Sequence, residues 1–329
     1  MSAAISFART VLGDVAVSAL GRTNAHEHLA ISSGLITVQH PEYRLDDPER
    51  AIVEISDFRD AGGQTIVDTA PCGAGRDPKA LVAISRATGV HVIASTGFHK
   101  EGYYLDSHWR FHYGAEEIAG LWRDEIELGL ELSAYEGPHI KRSTAKAGLV
   151  KVATDYQHIS KHARKAFEAA GEVHRATGVP VLTHSEAGTA MLEQVRLLES
   201  HGVAPQHVVI SHADRNPDWF VHRDLAETGA HLEYDCPGRV KYFPESTIVA
   251  LIRKMFDLGL EKHLLFGGDN ARRSYWKAYG GGPGIAYILR SFVPRLLREG
   301  FTQAEIDQIL IANPSSAFQF SCSSARGCD

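Results

Sequence analysis

Six residues of this chain have the types and spacing of a metal centre: His26, His28, Lys151, His184, His212 and Asp269. Imidazole and carboxylate are ordinary ligands of zinc and its first-row neighbours. Two histidines at i and i+2 on a strand project to the same side of it, which suits His26 and His28 in TNAHEH. Four histidines and a carboxylate are enough to serve two divalent cations. Zinc is preferred, and manganese, cobalt and nickel accept the same ligands. Lys151 lies within GLVKVAT, where a buried ammonium is costly. Burial and nearby cations both favour the neutral amine, which can add carbon dioxide to give a carbamate, a bidentate anion able to bridge two metals. A salt bridge to Asp269, or a general base beside a single metal, are the other readings of Lys151. The carbamate is favoured because four histidines are shared between two ions.

These residues need elements that bring them together. Eight apolar runs rich in β-branched residues recur at 23–28, 65–70, 91–97, 148–155, 179–186, 207–214, 230–236 and 263–270. Their near-continuous apolar character is that of strands buried on both faces. Amphipathic stretches between them predict helices at 49–61, 78–88, 115–133, 158–177, 189–201, 218–228, 245–259 and 284–299. A last helix opens with the capping box Thr302–Glu305 and stops before Asn313-Pro314. Eightfold strand–helix alternation predicts an α/β fold, a (β/α)₈ TIM barrel formed as a single domain over residues 1–329. A doubly wound sheet is the alternative, but it gives no reason for ligands on so many separate strands. In a parallel barrel the strand ends meet on one face, where active sites of this fold lie. Histidines are numerous, 18 in all, and most need another explanation. His91, His207, His231 and His263 begin their strands and so belong to the opposite face. His158 and His162 have the i,i+4 spacing of a two-histidine site, but QHISKHARK reads as a solvated helix face.

Bulk properties exclude several classes. A net charge of −6 and pI near 6.3 lack the basic face that nucleic acid requires. No run of about 18 apolar residues spans a bilayer. The N-terminus lacks the layout of a secretory signal. Cys72, Cys236, Cys322 and Cys328 form no CxxC pair, as free thiols in the cytoplasm would. The polar stretch 321–329 (SCSSARGCD) is expected to be a disordered tail, and Cys72 serves either pocket or packing.

AHEH at 25–28, GLVKVAT at 148–154, THSEAG at 183–188, SHAD at 211–214, GGD at 267–269 and NPSSAF at 313–318 together resemble the phosphotriesterase-like family of the amidohydrolase superfamily. The resemblance runs from about residue 13 to 320. It implies a binuclear centre with His26, His28 and Asp269 on one metal, His184 and His212 on the other, and carboxylated Lys151 between them. It also implies a bridging hydroxide as nucleophile, with Asp269 carrying the proton, and it allows a homodimer. Some relatives have glutamate at the bridging position; this chain keeps lysine.

The ligands fix hydrolysis, and the loops must choose the substrate. Loops after the seventh and eighth strands often seat phosphate in barrels of this kind. Here they carry Arg239, Lys241, Arg272 and Tyr275, and the third-strand loop adds Tyr103. Lys241, Arg272 and Tyr275 are the first choices for an anionic group on a small substrate. The competing reading is that they are solvated or paired with acids. Loops this polar do not suit a lipophilic triester or a long acyl lactone. The leading expectation is therefore a lactonase opening a sugar-acid lactone that bears phosphate or carboxylate. An amidase on a small anionic N-acyl compound comes next, then promiscuous phosphotriesterase activity, and last a non-catalytic metal-binding protein.

Overall fold

A short antiparallel hairpin, β1 (Phe7–Thr10) and β2 (Gly13–Ala16), precedes the barrel. The apolar runs then form its parallel strands: β3 (Thr23–Glu27), β4 (Thr65–Asp68), β5 (His91–Gly97), β6 (Leu149–Thr154), β7 (Val181–Ser185), β8 (Val208–Ser211), β9 (His231–Tyr234) and β10 (Leu264–Phe266). The structure is a computed structural model, and it describes residues 6–321. The expected polar tail therefore lies, from Cys322 onward, outside the described residues. Strands β3 to β10 pair in chain order. The barrel is brought nearly to closure where the amides of Gly268 and Asp269 donate to the His26 carbonyl at 3.0 and 2.8 Å. A Cβ on Gly268 would stand 2.0 Å from Glu27 Oε1, so glycine is what lets the end of β10 lie against β3.

Inside the barrel, side chains stack in layers. Leu149, Leu182, Val209 and Leu265 join Val67 and Ile93 in a buried cluster plugged by Leu20 and Phe318. Two residues further along the same strands, on the same side, stand Lys151, His184, Ser211 and Gly267. The polar layer thus rests on an apolar floor.

Helices cover the outside, among them Pro48–Asp60 and Pro78–Thr88, each capped by an aspartate, Asp47 or Asp77, that accepts two backbone amides. Four helix boundaries differ from expectation, and one is the helix expected at 284–299, which runs from the π turns at Ile288–Phe292 to Arg298. The helix expected at 158–177 begins at Lys161, because the Ser160 hydroxyl accepts the Ala163 amide and sets the start there. His158 consequently lies before the helix, and the i,i+4 pair with His162 does not form. The helix expected to reach 133 stops at Glu127, where the amides of Leu128 and Gly129 both close on the Asp124 carbonyl. The last helix has its Thr302 capping box but runs on through Asn313 and Pro314 to Ala317. Wider π turns over Gln308–Ala312 precede that proline, and the Asn313 amide group is tied to the carbonyls of Glu261 and Leu264 at 2.8 and 2.7 Å. Among the described residues no helix is long and apolar enough to cross a membrane.

Candidate metal centre

The six residues singled out in the sequence converge on one cavity of about 220 Å³ at the C-terminal mouth of the barrel. Strand β3 is irregular, its register against β4 shifting between Asn24 and Glu27, and such bulges re-aim side chains. His26 and His28 both face Asp269, whose Oδ1 lies 3.7 Å from His26 Nε2 and 3.3 Å from His28 Nε2. Across the cavity, His184 Nδ1 and His212 Nε2 stand 2.8 Å apart. Two ligand positions adopt left-handed backbone, His212 at φ 64° and Asp269 at φ 46°. That costs on the order of 1 kcal/mol at each, strain of a kind that concentrates at functional sites.

The donor set fits a metal. His26 Nε2, His28 Nδ1 and Lys151 Nζ are buried without a hydrogen-bond partner, which is costly unless something else occupies them. Burial holds the His26 and His212 imidazoles below their ordinary range, and it pulls His184 down to about 3. Neutral rings keep the lone pairs that a cation needs. Burial alone would raise the Asp269 carboxyl, but Arg239, the His28 hydrogen bond and Arg215 hold it well below the usual carboxylate range. Lys151 is wholly buried. Burial brings its amine down to about 8, against the pull of Asp269, Glu233, Asp68 and Asp235. Since its Nζ makes no hydrogen bond, the simple pairing of Lys151 with Asp269 is not formed.

Behind the six residues stand carboxylates that the sequence did not single out. Glu233 Oε1 lies 2.7 Å from His26 Nδ1, whose hydrogen bond is with the Ser211 hydroxyl at 3.2 Å. Asp235 holds His212 Nδ1, and Glu186 accepts from His184 Nε2 at 3.0 Å and from Lys100 at 2.5 Å. Partners of this kind set the tautomer and angle of a ligating ring. Glu233 and Asp235 were within reach of sequence reasoning. Two acids at alternate positions of the apolar run AHLEYDC carry the signal that marked Lys151.

A family model described as the phosphotriesterase family matches residues 6–318. The chain belongs to that family. A relative named phospho-furanose lactonase, from Mycoplasmopsis synoviae, is 38% identical, with 95% of this chain and 92% of that protein covered. The solved structure of a lactonase from Listeria monocytogenes superimposes with TM-score 0.89 at 31% identity, covering 96% of this chain and 100% of that one. The phosphotriesterase homology protein of Escherichia coli, solved with phosphate in its active site, gives TM-score 0.84 at 31% identity, over 92% of this chain and 99% of that one.

In this phosphotriesterase-family chain the residues expected to bind substrate all line the cavity: Tyr103, Arg239, Lys241, Arg272 and Tyr275. Lys241 Nζ donates to the Tyr275 hydroxyl at 3.0 Å, and Arg272 donates to the Tyr43 hydroxyl at 3.0 Å. Tyr103 stacks on His99 with ring centroids 3.7 Å apart. Arg239 is engaged elsewhere: Nε and Nη2 donate to the Gly268 carbonyl at 3.0 and 2.8 Å, and Nη1 lies 3.2 Å from Asp269 Oδ2. Its geometry is that of a strut for Asp269. Cys72 is buried and is not among the residues that line the cavity; its carbonyl accepts the Tyr104 hydroxyl at 3.1 Å.

Proposed function

We propose that this chain is a binuclear-metal lactonase that opens a furanose lactone carrying a phosphate group. The observation that carries the reading is the placement of Lys241, Tyr275 and Arg272 on the same cavity as the six ligand residues. His26, His28 and Asp269 would hold one divalent cation, His184 and His212 the other, and carboxylated Lys151 would join them. Zinc is the first candidate. Bound there, the cations would supply an activated water and polarise the scissile carbonyl.

The chain's own residues do the rest. Asp269 turns Oδ1 toward His28 and His26 while its Oδ2 is held by Arg215 and Arg239, so Oδ1 is the oxygen placed to take a proton from the nucleophile and pass it to the ring oxygen that leaves. Lys241 Nζ, the Arg272 guanidinium and the Tyr275 hydroxyl bind the phosphate end and set the distance from it to the carbonyl. Tyr103, stacked on His99, adds to the wall of the cavity. The free, buried thiols of Cys72 and Cys236 accord with a cytoplasmic enzyme. The test compares hydrolysis of phosphorylated and plain aldonolactones by the metal-loaded enzyme. A strong preference for the phosphorylated lactone is expected; equal rates, or none with either, would overturn the anionic-substrate reading.

A further inference from the structure

Arg215 follows the SHAD motif directly, and nothing in the sequence marks it for a role. Its side chain is only 7% exposed. Its Nη2 donates to Asp269 Oδ2 at 2.7 Å and to Asp235 Oδ1 at 3.2 Å. Those carboxylates belong to different halves of the centre. The other oxygen of Asp269 faces His28 and His26. The other oxygen of Asp235 holds the His212 ring and accepts the His212 amide at 3.1 Å. One nitrogen therefore spans both halves. Arg239, by contrast, binds Asp269 and the Gly268 carbonyl and lies over the Tyr275 ring, with no hydrogen bond to Asp235.

Asp235 is buried and Asp269 is largely so, its side chain 14% exposed, and two anions this close in poorly solvated surroundings repel unless a cation lies between them. With Arg215 in place, each can point its free oxygen outward at its own histidines. Without it, rotation or protonation of either acid would release the ring or the carboxylate that a metal uses. The Arg215 guanidinium carbon also sits 4.9 Å from the centre of the Tyr242 ring, which limits its movement.

We propose that Arg215 is a positioning residue that couples the two halves of the metal centre, fixing Asp269 for one cation and, through Asp235, His212 for the other. This rests on the binuclear reading above. The test uses full-length protein stripped of metal with a chelator, then titrated with zinc by calorimetry and with cobalt by its visible absorption. The wild type takes up two equivalents. Arg215→Gln weakens both by about 10- to 100-fold, the range seen when partners of metal ligands are lost. Arg239→Gln weakens one. Arg215→Lys places a compact cation with three donors on the same two acids and regains affinity at both sites together. A folded Arg215→Gln protein that binds both equivalents as tightly as the wild type, or loses only one, would overturn the coupling alone. Should Arg215→Gln not fold, unequal losses at the two sites of Arg215→Lys would overturn it. A wild type that binds fewer than two equivalents would instead remove the binuclear reading, and the coupling with it.

Discussion

Lys241 and Tyr275 meet in an exposed pair at the cavity rim, Nζ to hydroxyl at 3.0 Å. Burial pushes the Tyr275 phenol up, yet the Lys241 hydrogen bond and the charges of Arg239, Lys241 and Arg272 leave it below its ordinary range. That is the electrostatics of a place prepared for an anion. Hydrogen bonds to a charged group contribute about 1.5–3 kcal/mol. Lys241→Ala should therefore cut kcat/KM on a phosphorylated lactone by about 10- to 100-fold and leave an unphosphorylated one unchanged; equal losses on both would count against a phosphate contact. At this scale the sequence disclosed the six residues that meet at the cavity but not what holds them. His184, His212 and Asp269 could be seen because each ends an apolar run, and Lys151 because a charge inside one demands a reason. Glu186, Arg215 and Tyr43 carried no such mark. Their roles depend on which loops meet over the barrel mouth, and local pattern does not encode that.

Strands position the ligands only if they approach closely enough, and β5 against β6 is the tightest case. Gly97 ends β5 at φ 106°, and a Cβ there would lie 1.9 Å from the Lys151 carbonyl oxygen. The Phe98 amide donates to that same carbonyl at 2.8 Å. Gly97→Ala should therefore push β6 outward and displace Lys151, costing several kcal/mol in stability and lowering metal content. Gly89 is the control, since it has φ 71° but nothing within 4 Å of the point where a methyl group would stand. Gly89→Ala should cost only about 1–2 kcal/mol and leave metal content intact. Melting temperature and metal analysis on both variants decide the matter, and similar behaviour of the two would show that the contact with Lys151 is unimportant. Element type was legible because buried parallel strands declare themselves by apolar runs. Helix ends were less so. Ser160 caps its helix two residues after His158, and the π turns before Pro314 carry a helix past a residue that ordinarily ends one.

The barrel as a whole divides its histidines between two faces, and the two groups have different physics. At the mouth, burial lowers His26, His184 and His212 and so favours their neutral rings, the form that could hold a cation. At the opposite face, His174, His207, His231 and His263 gather with no metal-like convergence of their nitrogens. His174 and His207 rings lie 5.1 Å apart, and His231 and His263 rings 6.0 Å apart. The Nδ1 atoms of His207, His231 and His263 are buried without partners. Burial, helped by neighbouring histidines, brings His231 down to about 3 and His207 to about 4. His174 and His263 are lowered too, chiefly by burial. A histidine depressed in the fold binds a proton more readily when unfolded, so its contribution to stability is complete above about pH 6.5 and is lost as pH falls toward the folded value. For His231, which is 4% exposed, the loss between neutral pH and pH 5 comes to about 2 kcal/mol. Urea unfolding of the metal-free protein at pH 7.5 and pH 5.0 measures it. Mouth histidines titrate alike in the wild type and in His231→Gln, so the difference between the two proteins isolates the lower face. The wild type should lose about 2 kcal/mol more than the variant over this interval, and equal losses would show that His231 is not held neutral by the fold.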